Sequence, residues 1–283
     1  MHIAALRGNQ SKGQLMEVIS EIKVGSDGWV RLMRVDGSEA DILQAARVSY
    51  SKKKSSDRTL LRYLLRHRHT TPFEMADVVF WLRVPIDVWR QGVRHRTASQ
   101  NEYSQRYREA INAVDVPALD QWRRQSTTNK QGSEGLMPTG VGWTCTDAVS
   151  YSATVSRRTY EQLLKAGVSR EQARRHLPLC TYTELFWKID LHNLMHFLKL
   201  RMDSHAQQEI REVANAMYQQ IKPVFPVAME AFDQYSLQAI TLTALDILAI
   251  SVGDWAGESI EDERERNEYL AKIQALNLGG NHE

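Results

Sequence analysis

Residues 181–190, TYTELFWKID, change their periodicity at the end, and that change decides how the chain is read. Tyr182, Glu184, Phe186 and Lys188 alternate with Thr183, Leu185, Trp187 and Ile189, the two-residue repeat of a half-buried strand. From Asp190 onward the apolar residues fall at Leu191, Leu194, Met195 and Leu198, the spacing of one buried helix face. A strand running directly into a helix predicts an α+β arrangement, and the same mixture recurs upstream.

Residues 76–84, ADVVFWLRV, alternate Val78, Phe80, Leu82 and Val84 and predict a second strand. Pro85 suits the first position of a following helix, with Asp87 in its first turn, and that helix carries Trp89, Gln91 and Arg94 forward. Before the strand, Asp57 reads as the N-cap of a helix through His67, with Leu60, Leu61, Leu64 and Leu65 on one face, interrupted by Thr70-Thr71-Pro72. Residues 16–24 and 29–35 read as a hairpin around Gly25-Ser26-Asp27-Gly28, followed by a short helix from Ser38 that ends before Ser49. Further helices are expected over 144–164, from Ser169, over 206–221 and over 258–276. Residues 123–143 are polar and glycine-rich and are expected to form a long mobile loop within a single domain.

The chain has 283 residues, 42% of them hydrophobic, which is ample for a core. With 36 basic against 34 acidic residues, a net charge of +2 argues against a general polyanion binder, so any anion site must be local. Two cysteines, Cys145 and Cys180, are too few for a disulfide scaffold and fit a reducing compartment, with cytoplasm as the default. Cys180, inside LPLCTYTEL, reads as a buried structural thiol. No apolar run is long enough to span a membrane and no signal-peptide pattern is seen, so a soluble, non-exported protein is expected.

Chemistry concentrates in three places. Residues 94–106, RHRTASQNEYSQR, set Arg94, His95, Arg96 and Arg106 around the lone Glu102. Arginine offers a planar fork for phosphate or a nucleobase edge, although charge alone leaves a solvated segment equally open. Ser99, Asn101 and Ser104 tip the balance towards a ligand, because small polar residues leave backbone amides accessible to an anion. His67-Arg68-His69 ends a helix at a rigid proline turn, a loop edge from which side chains reach a ligand. In residues 190–207, His192 and His196 lie one helical turn apart, but Asn193 stands where a metalloprotease helix has its glutamate, and only Asp203 and His205 remain as further ligands. No metal site is expected there. Neither a G-x-G-x-x-G turn nor a P-loop occurs, so any nucleotide is held in another way.

Taken together, the run from Arg94 to Tyr107 resembles the RHRxxSxNExSxR signature of flavin-dependent thymidylate synthases, the ThyX family. ARVSY (46–50), HTTPFE (69–74), RQ (90–91) and LRMDSHAQ (200–207) match in the same order, and the likeness covers about residues 40–235. The resemblance implies a ThyX-type α+β fold with a central, mostly antiparallel sheet and flanking helices, its core at about 15–235 and a helical extension over 236–283. It also implies a homotetramer whose active sites draw on more than one subunit, binding FAD, dUMP, NADPH and 5,10-methylenetetrahydrofolate and reductively methylating dUMP to dTMP.

By that resemblance dUMP is held by Gln91, Gly92, Val93 and Arg94, by Glu102, Tyr103, Ser104, Gln105 and Arg106 of a neighbouring subunit, and by Arg174. Arg201 is the catalytic group, stabilising the ionised uracil N3. FAD is held by Ser49, His69, Thr71, Arg94, His95, Arg96 and Glu102, with Asp190, Leu191, His192 and His196 along the later helix. Asp190 and His196 replace asparagines found in some relatives. Two other readings remain: a nucleic-acid-binding module using the 90–108 segment with Trp81, Trp89 and Tyr103 as stacking partners, which the charge balance disfavours, and a metal-dependent hydrolase built on His192, His196 and His205, which lacks a convincing ligand set.

Overall fold

In the computed structural model, which describes residues 18–49, 56–127 and 130–278, the first hairpin joins strand β1 (Ser20–Val24) to β2 (Gly28–Asp36). Gly25 adopts a positive φ of 57° in the turn, which glycine reaches without steric cost. Residues 16 and 17 of the expected strand lie outside the described residues. Helix α1 (Glu39–Ala46) and helix α2 (Asp57–Arg66) follow. The cap of α2 is Ser56, not Asp57, since the Ser56 side chain accepts from the Thr59 amide; Asp57 sits in the first turn, where its charge meets the positive end of the helix.

Strand β3 (Asp77–Pro85) leads into α3 (Ile86–Gly92). Pro85 closes the strand as the residue before the helix, so it is not the first helical residue, and Arg94 lies two residues beyond the helix. Within the arginine run the chain forms a strand that the sequence reading did not anticipate, β4 (Ser99–Glu102), all four residues exposed. The segment expected as a long loop contains a small hairpin, β5 (Arg123–Gln125) and β6 (Ser133–Leu136), and the first turns of the 27-residue helix α4 (Thr139–Lys165). Its polar residues are used locally: the Glu134 carboxylate accepts from the hydroxyls of Ser126, at 2.9 Å, and Thr127, at 3.1 Å.

Helix α5 (Arg170–Ala173) and a 3-10 turn (Arg174–His176) precede β7 (Tyr182–Asp190), α6 (Leu191–Arg201), α7 (Gln208–Ile221) and α8 (Pro226–Phe232). The strand-to-helix switch at Asp190 is as read, and its carboxylate caps α6 by accepting from the Asn193 amide at 2.9 Å. Helix α8 was not expected. Cys180 is half-buried, more open than the apolar frame around it suggested.

The sheet order is β1-β2-β3-β7-β4, with every neighbouring pair antiparallel. Side chains in register across three strands, Leu32, Phe80 and Trp187 in one row and Val30, Leu82 and Leu185 in the next, are buried together. Helix α7 packs on this part of the sheet, and Gln220 Nε2 donates to the Val30 carbonyl at 2.8 Å. On the other face Arg31, Trp81 and Phe186 are in register, with the Trp81 and Phe186 rings stacked at 5.4 Å.

The chain divides into two compact units, Met1–Phe232 and Asp233–Glu283. The second contains α9 (Ala244–Ser251), which falls within the helical extension expected over 236–283, and α10 (Glu263–Ala275), shorter than the expected 258–276 because Asp262 caps it. Its small core consists of Ala249, Ile260, Tyr269 and Ile273. Thr243 and Asp246 form a capping box on α9, and Lys272 reaches the Asp246 carboxylate at 2.6 Å. Among the described residues, no helix is long and apolar enough to cross a membrane.

Candidate active site

Helix α6 is the spine of the site, because its buried face, Leu191, Leu194, Met195, Phe197 and Leu198, fixes where the remaining side chains project. At its C-terminal end Arg201 and His196 join Arg94, His95, Arg96, Thr97, Asn193 and Leu200 around a cavity of about 410 Å3. Arg201 Nε donates to His95 Nε2 at 3.2 Å, which requires an unprotonated Nε2. The His95 ring packs edge-on against Phe197 at 4.9 Å and lies 5.8 Å from His196. Burial, followed by the positive charge of Arg201 and by His196, lowers the His95 pKa to about 4. Burial also lowers the Arg201 pKa. The result is a neutral imidazole and three guanidinium groups around a cavity with no carboxylate in its lining.

A second cavity, of about 400 Å3, is lined by Ile86, Trp89, Arg90, Val93, Glu102, Tyr103, Ser104, Gln105 and Arg174. Strand β4 explains the placement of these groups. It pairs with β7 and ends at Glu102 opposite Leu185, and the Tyr103 amide extends the ladder to the Glu184 carbonyl at 2.7 Å. Thr183 Oγ1 donates to Glu102 Oε1 at 2.8 Å, so a buried strand residue holds the carboxylate. The chain then turns at Ser104, whose carbonyl accepts from the amides of Tyr107 and Arg108, both at 3.2 Å. Gln105 is buried, whereas Arg106 is exposed and pairs with Glu171 at 3.2 Å.

Gln91 donates through Nε2 to Gln207 Oε1 at 2.6 Å, tying α3 to the start of α7. Gly92 is needed for space, since a Cβ there would lie 2.6 Å from the Trp89 ring. Trp89 itself is buried edge-on against Trp187, Trp81 is stacked on Phe186, and Tyr103 donates its hydroxyl to the Glu109 carbonyl. These three aromatics therefore do not form an open stacking platform.

The other expected residues lie elsewhere along α6 and on the turn before β3. His69 follows the end of α2 and stacks on Tyr63 at 5.9 Å, and Thr71 opens the 3-10 turn Thr71–Met75, which packs against α6. Neither lines the two cavities, and nor does His192. Leu191 is fully buried, with its amide bonded to the Ala76 carbonyl at 2.8 Å, so its side chain belongs to the core. Both Asp190 oxygens are engaged by Asn193, one by its amide and the other by Nδ2 at 2.7 Å. Ser49 ends a 3-10 turn, and its side chain lies outside what is described, as does Tyr50. Among the described residues, no three His, Cys, Asp or Glu side chains are grouped to hold a metal ion.

Sequence reasoning missed three contributors: Arg90 in the second cavity, Thr183 behind Glu102, and Gln207 behind Gln91. Thr183 left a signal, as a hydroxyl on the same face as Leu185 and Trp187. Arg90 and Gln207 stand inside the matched segments RQ (90–91) and LRMDSHAQ (200–207), although the match assigned neither of them a role.

Residues 31–227 match the family model described as thymidylate synthase complementing protein. The chain is 44% identical over 266 residues to a flavin-dependent thymidylate synthase of Dictyostelium discoideum, covering 89% of this chain and 87% of that one. It is 45% identical over 233 residues to the protein of the same name from Wolbachia pipientis wMel, covering 81% and 82% of the two chains. Among solved structures, the UMP/dUMP methylase PolB of Streptomyces cacaoi bound with 5-Br dUMP superposes with a TM-score of 0.69 at 34% identity, covering 76% of this chain and 99% of that one.

Proposed function

The chain belongs to the thymidylate synthase complementing protein family, that of the flavin-dependent thymidylate synthases, and from that membership we propose that it reductively methylates dUMP to dTMP. The observation that carries the reading is the Arg201–His95 pair in a cavity rich in guanidinium groups and free of carboxylates. Such a lining suits an electron-rich, oxygen-bearing planar group and a substrate whose imide ionises.

Arg201 stabilises the uracil N3 anion, since an adjacent guanidinium favours the charged form of an imide, and the added electron density at C5 favours bond formation to the incoming carbon. His95 stays neutral beside it and accepts a hydrogen bond through Nε2, which orients the guanidinium. Arg174, Ser104 and Gln105 line the second cavity and bind the ribose phosphate, with Arg106 as a further cation. Glu102, held by Thr183, accepts from a substrate hydroxyl or imide.

FAD fits the donor set of Arg94, His95 and Arg96, with His69 and Thr71 on the turn before β3 and His192 and His196 on α6; when bound, it supplies the hydride that completes the methyl group. NADPH is the reductant and 5,10-methylenetetrahydrofolate the carbon donor. Of the groups assigned to dUMP, Arg94 and Arg201 line one cavity and Val93, Glu102, Tyr103, Ser104, Gln105 and Arg174 the other, while Gln91, Gly92 and Arg106 line neither, and Arg106 is exposed at 56% of its side chain. This supports a homotetramer in which Glu102–Arg106 of one subunit complete the site of another. The reaction belongs to cytoplasmic nucleotide biosynthesis.

The test is to purify the chain, record the flavin absorbance and assay dTMP formation from dUMP with NADPH and methylenetetrahydrofolate. A yellow protein that forms dTMP is expected. A colourless one that neither binds added FAD nor forms dTMP overturns the reading.

A further inference from the structure

Arg68 is one of two described non-glycine residues with a positive φ, at 58°. It follows the last residues of α2 in a closed helix ending: the Arg68 amide donates to the Leu65 carbonyl at 3.1 Å and the His69 amide to the Leu64 carbonyl at 2.9 Å. This pattern places a left-handed residue just beyond the helix, a position that glycine fills without steric cost and an L side chain fills at a cost. The fold alone therefore favours glycine here. Arg68 is exposed, and among the described residues its side chain makes no hydrogen bond or ion pair, so no internal contact offsets that cost. Its neighbours are committed: both His67 and His69 turn their rings to Tyr63, at 4.3 and 5.9 Å.

We propose that Arg68 is a co-substrate-binding residue whose guanidinium holds the anionic tail of a molecule docking beside His69. The inference rests on the functional reading above, which places His69 at the flavin. A strained backbone carrying an unpartnered cation on a loop edge is the arrangement expected where the side chain serves a ligand and not the fold. The chemistry recognised is a flexible phosphate or carboxylate group, supplied either by the 2′-phosphate of NADPH or by the glutamate carboxylates of the folate.

The experiment compares wild type with Arg68→Gly and Arg68→Lys in the full-length flavin-loaded protein. Arg68→Gly is expected to melt at the same or a higher temperature, because the strain is relieved, and to keep its flavin and the KM for dUMP. Its KM for one anionic co-substrate should rise about five-fold, the scale of an exposed ion pair, while Arg68→Lys stays near wild type. A rise for NADPH that disappears when NADH replaces it identifies the phosphate; a rise that grows with the number of glutamates identifies the folate tail. Unchanged KM values for both co-substrates in Arg68→Gly overturn the proposal, as does a lower melting temperature, which would assign Arg68 to the fold. If wild type forms no dTMP, the functional reading fails instead, a result distinct from either.

Discussion

Arg201 and His95, 106 residues apart in sequence, meet through a 3.2 Å hydrogen bond in which the guanidinium donates and the imidazole accepts. Burial and the Arg201 charge keep His95 neutral, and the unprotonated Nε2 steers the guanidinium into the cavity.

Removing the cation tests its chemical role. Arg201→Ala should leave the fold nearly intact and reduce turnover by ~100-fold or more, equivalent to about 2.7 kcal/mol of transition-state stabilisation. Steady-state kinetics beside a far-ultraviolet spectrum decides this, and wild-type turnover would refute the assignment.

The same pair predicts a pH response. Unfolded His95 takes up its proton near 6.5, whereas the folded imidazole does so only near 4, so between those values the unfolded chain binds more protons and stability falls as pH falls. Arg201→Ala should raise the folded pKa and narrow that window. Nuclear magnetic resonance titration of the His95 ring measures both shifts directly.

Thr183 is a buried strand residue with one polar task, its bond to Glu102. Thr183→Val keeps the shape and removes the donor. Since a hydrogen bond to a charged group contributes about 1.5–3 kcal/mol, the KM for dUMP should rise by roughly ten-fold or more with little change in melting temperature. An unchanged KM would show that Glu102 needs no help from β7.

For Asp190, a capping role and a flavin role give different patterns. Asp190→Ala removes the α6 cap and should cost about 1 kcal/mol in urea denaturation, while Asp190→Asn retains the acceptor and stays close to wild type. Loss of flavin affinity in the asparagine variant at full stability would show that the carboxylate contacts the cofactor instead.

In the C-terminal unit, Asp246 is 3% exposed; its burial raises the carboxyl pKa, but the Lys272 hydrogen bond and the Thr243 bonds outweigh that and leave it below 3.8. The stabilisation is therefore present above that ordinary value and lost as pH falls below it. Lys272→Met should strand the carboxylate, speed hydrogen exchange in α9 and α10 at neutral pH and weaken the acid dependence. Unaltered exchange would reduce the pair to a surface contact.

Much of the fold could be read locally. The first hairpin, β3, β7, α6 and α7 declare themselves by period-two or helical spacing and by turn or cap residues at their ends. Strand β4 did not, because Ser99 to Glu102 are all exposed and carry no apolar alternation; its pairing depends on an edge offered by β7 some 85 residues later. The hairpin within 123–136 was hidden for a similar reason, its polar residues satisfying one another in place of a core. Ser56 displaced Asp57 as a cap because either can accept from a helix amide, and only the backbone path selects between them.

The sequence by itself determined the strand-to-helix switch at Asp190, the order of the matched segments and the residue types brought to the site, since periodicity and side-chain chemistry are local properties. Only the tertiary structure decided that His95 is neutral, that Thr183 holds Glu102, and that Arg201 and Arg174, both assigned to dUMP, line different cavities. Each of these depends on burial or on partners distant in sequence, and a hydrogen bond or a desolvated charge exists only once the fold has brought those groups together.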